Sequence, residues 1–248
     1  MDERPVRLEV NGWTLASWTA SPDHADALGA GRLLADGFID SRTDVLSLEV
    51  EETPTATIVR ARVDPARVAA VRASGAPDIL ARLAGNPPAR RPRAPLPPLD
   101  AFGPLFRQLF RADDLTQDAS GLHAAALSDG RTLRHRLEEV GRHNAVDKAI
   151  GLALLAGDDL ARLGLLITAR ISGEMALKAA RAGLAWVASR SVPTTLAVAV
   201  AESARLPIIA RAAGREPHVY AAPAAPPRFY PGSPLAGPED RPEQGGAP

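Results

Sequence analysis

Residues 163–211 alternate short apolar runs with helix-forming runs, and few sequence patterns restrict a fold as tightly. Residues 163–168, 185–189 and 207–211 are apolar and of strand length, whereas 172–182 and 194–204 have the composition and length of helices, the first stopped by Gly183. Strands joined through helices pair in parallel, and a parallel sheet needs helices over its faces. The predicted class is α/β. Sheets of this kind bind ligands beyond the carboxyl ends of their strands. That rule places Thr168-Ala169-Arg170-Ile171-Ser172-Gly173-Glu174 and Ser191-Val192-Pro193-Thr194-Thr195 along one crevice, with Arg170, Ser172, Glu174, Ser191 and Thr194 as candidate contacts. Ser172 also suits an ordinary N-cap and Glu174 an ordinary first-turn carboxylate. Two turns of the same design argue for the crevice better than either does alone.

Upstream, Glu138-Glu139-Val140-Gly141-Arg142-His143-Asn144-Ala145-Val146-Asp147-Lys148 crowds a glycine, charges and an amide into the start of an apolar helix. Ala145, Val146, Ile150, Leu152, Leu154 and Leu155 predict that this helix begins within a residue or two of His143. Arg142, His143 and Lys148 then lie near its positive end, where roughly half a unit charge already faces outward. An uncompensated cation cluster costs free energy there, and a bound phosphate-like group reverses the sign. A four-residue spacing pairs His143 with Asp147 and Asn144 with Lys148. The first pair can orient an imidazole, and the second can present amide and ammonium donors to a phosphate or a guanine edge. His123 sits in an apolar strand beside Ala124, Ala125 and Ala126. It reads either as a core histidine or, given such small neighbours, as the wall of a ligand pocket.

The rest of the chain falls into recognisable pieces. Residues 6–10 alternate apolar and charged, and Asn11-Gly12 before Trp13-Thr14-Leu15 is the signal of a type I′ hairpin. Ser21-Pro22-Asp23 reads as an N-cap for a helix to about Asp36, stopped by Gly37. Residues 45–51 and 55–63 read as strands, 65–72 and 78–83 as helices, and 100–110 as a short helix. Residues 122–127 and 132–138 form strands around Ser128-Asp129-Gly130. Residues 86–98 hold six prolines and three arginines in thirteen positions, which excludes a regular helix or central strand and suggests a linker or lid. Residues 221–248 contain eight prolines in 28 positions, a composition expected to stay disordered.

At 248 residues with 46% hydrophobic content, the chain can bury a substantial core. Lysine plus arginine and aspartate plus glutamate both number 29, so no global field recruits nucleic acid or an anionic membrane. Anion binding must be local. No apolar run reaches the roughly 18 residues of a bilayer span, and Asp2, Glu3, Arg4 and Arg7 break the pattern of a signal peptide. A cytoplasmic location is expected. There is no cysteine, which removes disulfides and thiolate metal sites.

Several of these segments carry a family resemblance. The Gly141 helix start, together with Gly121-Leu122-His123-Ala124-Ala125-Ala126-Leu127 and Arg170-Ile171-Ser172-Gly173-Glu174-Met175, resembles the FdhD/NarQ family of formate dehydrogenase accessory sulfurtransferases. The similarity continues through Lys178-Ala179-Ala180-Arg181-Ala182-Gly183 and Ser191-Val192-Pro193-Thr194-Thr195-Leu196-Ala197. It also covers Arg7-Leu8-Glu9-Val10-Asn11-Gly12 and Gly31-Arg32-Leu33-Leu34-Ala35-Asp36-Gly37-Phe38-Ile39-Asp40, so that it spans roughly residues 4–220. It implies a three-layer core similar to cytidine deaminases over 100–220, a smaller N-terminal α+β portion over 1–85, and a segment at 86–99 where the family carries a Cys-x-x-Cys-Gly loop. Ile209-Ala210-Arg211-Ala212-Ala213-Gly214-Arg215 resembles, with stretched spacing and without the aromatic, the family's Phe-x-Arg-x-x-Arg segment near the cofactor. Arg211 and Arg215 thereby join the candidates, and two arginines on a loop suit a pyrophosphate.

What the resemblance implies about function is specific. The cargo is the bis-molybdopterin guanine dinucleotide cofactor, with molybdenum or tungsten, and GDP is the natural surrogate for its nucleotide ends. The implied partners are the catalytic subunit of formate dehydrogenase and a cysteine desulfurase, and the implied assembly is a homodimer. The family reaction passes a persulfide to the cofactor, and a persulfide requires a thiolate that this chain lacks. The expectation is a cofactor-binding chaperone, or a partner to a cysteine-bearing paralogue, with no catalytic residue of its own. The competing class is a guanine-nucleotide-binding regulatory module unrelated to formate dehydrogenase. A zinc deaminase is a further reading of the same implied fold, but His-x-Glu and Pro-Cys-x-x-Cys are both missing. No spacing specifies a metal site from His123, His143, Asp147 and Glu174.

Overall fold

Asn11 and Gly12 both adopt positive φ, 48° and 88°, and turn the chain sharply between two antiparallel strands, β1 (Arg4–Val10) and β2 (Trp13–Ala20). The hairpin expected from Asn-Gly is therefore present. The computed structural model describes residues 2–74, 93–110 and 122–221. The helix expected over 78–83 and the segments 86–92 and 222–248 lie outside the described residues.

After the hairpin come α1 (Ala25–Asp36), β3 (Val45–Glu52), β4 (Thr57–Val63) and α2 (Pro65–Ser74). The strands form a four-stranded sheet in the order β2-β1-β4-β3, with β1 and β4 parallel and both flanks antiparallel. Gly37 caps α1 at φ 83°, as its position predicts. The start of α1 corrects the sequence reading. His24, in the left-handed region, precedes the helix, and Ser21 is buried elsewhere instead of capping it.

The second sheet follows α3 (Phe102–Phe110) and contains β5 (His123–Ser128), β6 (Leu133–Glu139), β7 (Gly164–Ile167), β8 (Val187–Ser189), β9 (Ile208–Ala210) and β10 (His218–Tyr220). Between the strands run α4 (Arg142–Ala156), α5 (Gly173–Arg181) and α6 (Thr195–Ala204). The order is β10-β9-β8-β7-β5-β6, in which β7, β8 and β9 are parallel and the other neighbours antiparallel. The chain is a mixed α/β protein, as the alternating pattern predicts. β10 is an addition, because His218-Val219-Tyr220 is too short to register as a periodic strand.

Alternate residues of this sheet feed two apolar clusters. Ala125, Leu127, Leu165, Ile167, Val187 and Ile208 join α4, α5 and α6 in a core that continues without interruption into Leu28, Leu33, Val6, Leu8 and Val59 of the N-terminal portion. Ala124, Ala126, Leu166, Ala188 and Ile209 face the other way, toward Phe102, Leu105, Phe106 and Leu109 of α3. Those four α3 residues follow helical spacing, and each buried side chain of this size stabilises the fold by about 1.5–3 kcal/mol. Helices therefore cover both sheet faces. The described part of the proline-rich segment, 93–98, lies at the amino end of β7: Arg93 and Ala94 donate to Ala161 O, and Pro97 sits against Gly130. Among the described residues no helix is long and apolar enough to cross a membrane.

Candidate functional site

The turns that leave β7, β8 and β9 are tied to one another by backbone. Thr194 N donates to Ile171 O and Ile171 N to Val192 O, while Arg211 N donates to Ser191 O and Ala212 N to Ser189 O. The Ser189 hydroxyl donates to Ala169 O at 2.6 Å and accepts from Ser191 N at 2.9 Å. On the opposite flank Thr168 and Ala124 exchange bonds, Ala124 N donating to Thr168 Oγ1 and Thr168 N to Ala124 O, both at 3.0 Å. β5 begins there with His123, paired in register with Glu139 just before the α4 mouth. One sheet end thus brings His123, Gly141, Arg142, His143, Arg170, Ser172, Glu174, Ser191, Thr194, Arg211 and Arg215 onto neighbouring turns.

Hydroxyl groups at two of these turns have local work. Ser172 Oγ accepts from Met175 N at 3.4 Å and Thr194 Oγ1 from Ala197 N at 3.2 Å, so both act as helix N-caps. Arginine is different. Arg142, Arg170, Arg190, Arg211 and Arg215 are exposed at this end, and among the described residues none has a carboxylate partner. In the N-terminal portion five arginines are matched: Arg4 with Glu52, Arg7 and Arg60 with Glu9, Arg32 with Asp36, and Arg67 with Asp40 and Asp44. A chain of zero net charge therefore carries a local positive field at the strand ends. Arg190, whose guanidinium lies 5.3 Å from the centre of the Phe110 ring, did not stand out in the sequence because no spacing rule marks it.

The α4 mouth departs from the expected pairing. Lys148 is fully buried and donates to Glu139 Oε2 at 2.5 Å, Ser21 Oγ at 2.6 Å and Ser21 O at 3.0 Å. Ser21 Oγ in turn donates to Glu139 Oε2, whose carboxylate also accepts from Ser21 N and Val140 N. Lys148 faces the interior and locks α4 to the end of β2; it presents no ammonium at the mouth. Asn144 Nδ2 donates to Thr19 O and joins the same seam. Asp147 is also buried, paired with Lys178 of α5 and not with His143. These departures share one cause: α4 is wrapped by α1, α5 and the sheet, so its polar residues meet buried partners.

His143 keeps 31% of its side chain exposed, with Nδ1 turned inward 3.6 Å from Glu174 Oε2. Burial, and then the charge of Lys178, holds its imidazole below the ordinary histidine range. His123 is also lowered, first by burial and then by Arg142. Asp147 is pushed up by burial, against the pull of Lys178. Lys178 and Arg32, which acts electrostatically on both Asp147 and Glu174, are site residues the sequence reading passed over. A lone lysine among the apolar residues of α5 was the available signal. Among the described residues no group of three or more histidines and carboxylates is placed to hold a metal ion.

Comparison with known proteins agrees with this architecture. The model of the FdhD/NarQ family matches residues 1–226. A sulfur carrier protein FdhD from Streptomyces coelicolor is 33% identical over 242 residues, covering 88% of this chain and 86% of the relative. One from Burkholderia mallei is 32% identical, covering 84% and 82%. The crystal structure of a protein assigned as a formate dehydrogenase accessory protein from Desulfotalea psychrophila superposes with a TM-score of 0.68 at 25% identity, over 90% of this chain and 87% of that one. With a family match over nine-tenths of its length and the strand-end turns in place, the chain belongs to the FdhD/NarQ family.

Proposed function

We propose that this protein is an accessory factor for formate dehydrogenase that binds the bis-molybdopterin guanine dinucleotide cofactor and has no sulfur-carrying step of its own. The observation that carries the reading is the row of arginines on the laced turns beyond β7, β8 and β9, which among the described residues have no carboxylate partner. Guanidinium groups bind phosphate oxygens through two parallel donors, so such a row suits the pyrophosphates of a dinucleotide. The first turn of α4 adds backbone N–H groups to the same end. The metal, molybdenum or tungsten, travels with the cargo and needs no ligand from this chain.

The relatives are named sulfur carrier proteins, and carriage needs a thiolate. None is present. Sulfur then comes from a separate donor, a cysteine desulfurase or a cysteine-bearing paralogue, and the catalytic subunit of formate dehydrogenase receives the loaded cofactor. A homodimer matches a cargo with two nucleotide arms. Calorimetry with GDP and ADP tests the reading: GDP binds, ADP binds more weakly, and Arg142→Ala or Arg170→Ala weakens GDP by about 1.5–3 kcal/mol. Equal affinity for the two nucleotides, or none for either, removes it.

A further inference from the structure

Beneath the exposed rim, α5 reaches into the α4 mouth with two charged side chains of opposite sign. Lys178 Nζ pairs with Asp147 and lies 3.5 Å from His143 O, while Glu174 Oε2, one turn earlier, lies 3.6 Å from the inward nitrogen of the His143 ring, beyond hydrogen-bond distance. Lys178 is 5% exposed and Glu174 56%, so the lysine acts with little solvent screening and the glutamate with much. The other charged groups that act on His143 are Arg142 beside it and Arg32 of α1, both cationic. Protonating the imidazole would add a positive charge beside Lys178, Arg142 and Arg32, against the screened carboxylate of Glu174 and that of Asp147, which Lys178 already engages.

We infer that Lys178 is a positioning residue for His143: it fixes the first turn of α4 and keeps the imidazole neutral, with Nδ1–H directed at Glu174 and the Nε2 lone pair facing out. His143 then contributes a hydrogen-bond acceptor to a rim otherwise lined by arginine donors. A ligand that offers both phosphate oxygens and an N–H edge is matched by that mixture, whereas inorganic pyrophosphate uses the arginines alone. This use of the acceptor rests on the nucleotide reading; the charge state of His143 does not.

Histidine-labelled protein, with only five histidines to resolve, allows His143 to be titrated by NMR and identified with His143→Gln. The wild-type ring titrates below ordinary histidine, Lys178→Met moves the midpoint up, Lys178→Arg restores it, and Glu174→Gln moves it down. Because Lys178→Met strands Asp147, the paired variant Asp147→Asn with Lys178→Met serves as a neutral background and gives a smaller upward shift, since the lost carboxylate partly offsets the lost ammonium. An unchanged midpoint in both Lys178→Met and the paired variant, or no response to Glu174→Gln, overturns the inference, and so does a wild-type midpoint at or above the ordinary value. Failure of GDP to bind removes the nucleotide reading and leaves the titration result standing.

Discussion

Inside the protein three oxygens, Glu139 Oε2, Ser21 Oγ and Ser21 O, surround the Lys148 side-chain nitrogen. Two ions so placed add little net stability over an apolar pair, but removing one leaves the other stranded. Lys148→Met should therefore cost about 3–5 kcal/mol in urea unfolding, and adding Glu139→Gln, which removes the stranded charge and keeps an acceptor for Ser21 N and Val140 N, should recover part of it. A recovered double variant separates a seam that holds α4 against β2 from a ligand contact. The two lowered imidazoles make a second prediction. His123 and His143 bind a proton less readily folded than unfolded, so their contribution to stability is complete above the unfolded midpoint, about pH 6.5. It is lost as pH falls through their folded midpoints. Melting temperature should drop between about pH 7 and pH 5, and His143→Gln should shrink that drop; a pH-independent difference between wild type and variant would refute the assignment.

Helix against helix, the closest approach is that of α1 and α4. A Cβ built on Gly31 would lie 1.9 Å from Asp147 O, and one on Gly151 1.9 Å from Ala27 O, so no side chain fits at either crossing. Gly31→Ala must separate the helices and should destabilise by at least about 1–3 kcal/mol, the usual range for overpacking. Gly103 of α3 has only Arg107 Nη1 at 3.7 Å in its way, and Gly103→Ala should stabilise by about 0.5–1 kcal/mol. Thermal melts of the two variants should move in opposite directions. The same crossing explains what sequence could and could not reveal. The alternation in residues 163–211, the Asn11-Gly12 turn and the start of α4 are written locally, in period and turn chemistry, and they appear where expected. The partners of α4 are not local. Lys148 finds Ser21 127 positions away and Asp147 finds Lys178 31 positions away, whereas helical spacing suggested Asn144 and His143. A helix buried on nearly every side loses the polar stripe that would show which of its residues face water. Arg190 escaped for a different reason: what sets it apart is that among the described residues it has no acidic partner, which only the assembled sheet end reveals.

Across the whole molecule, charge and sulfur chemistry are separated. Arg4, Arg7 and Arg60 of the N-terminal sheet are paired with acids, whereas among the described residues the arginines at the strand ends of the large sheet are not, so the proposed anion binding needs nothing from a thiol. The described end of the proline-rich segment adds a geometric constraint. Residues 93–98 are anchored by Ala161 O and Gly130 at the amino end of β7, the far end of the sheet from the arginine row. The side chains available on this chain cannot hold sulfane sulfur, since oxygen and nitrogen nucleophiles form no persulfide. Incubation with a cysteine desulfurase and cysteine should therefore leave the protein mass unchanged, while GDP affinity before and after the reaction stays the same. In cells the two roles part in the same way. A strain lacking its cysteine-bearing homologue should not regain formate dehydrogenase activity from this chain alone, and restoring a cysteine-bearing partner should raise activity further when this chain is present than when it is absent. Rescue by this chain alone would show that sulfur reaches the cofactor without a thiol on the carrier, and would end the chaperone reading.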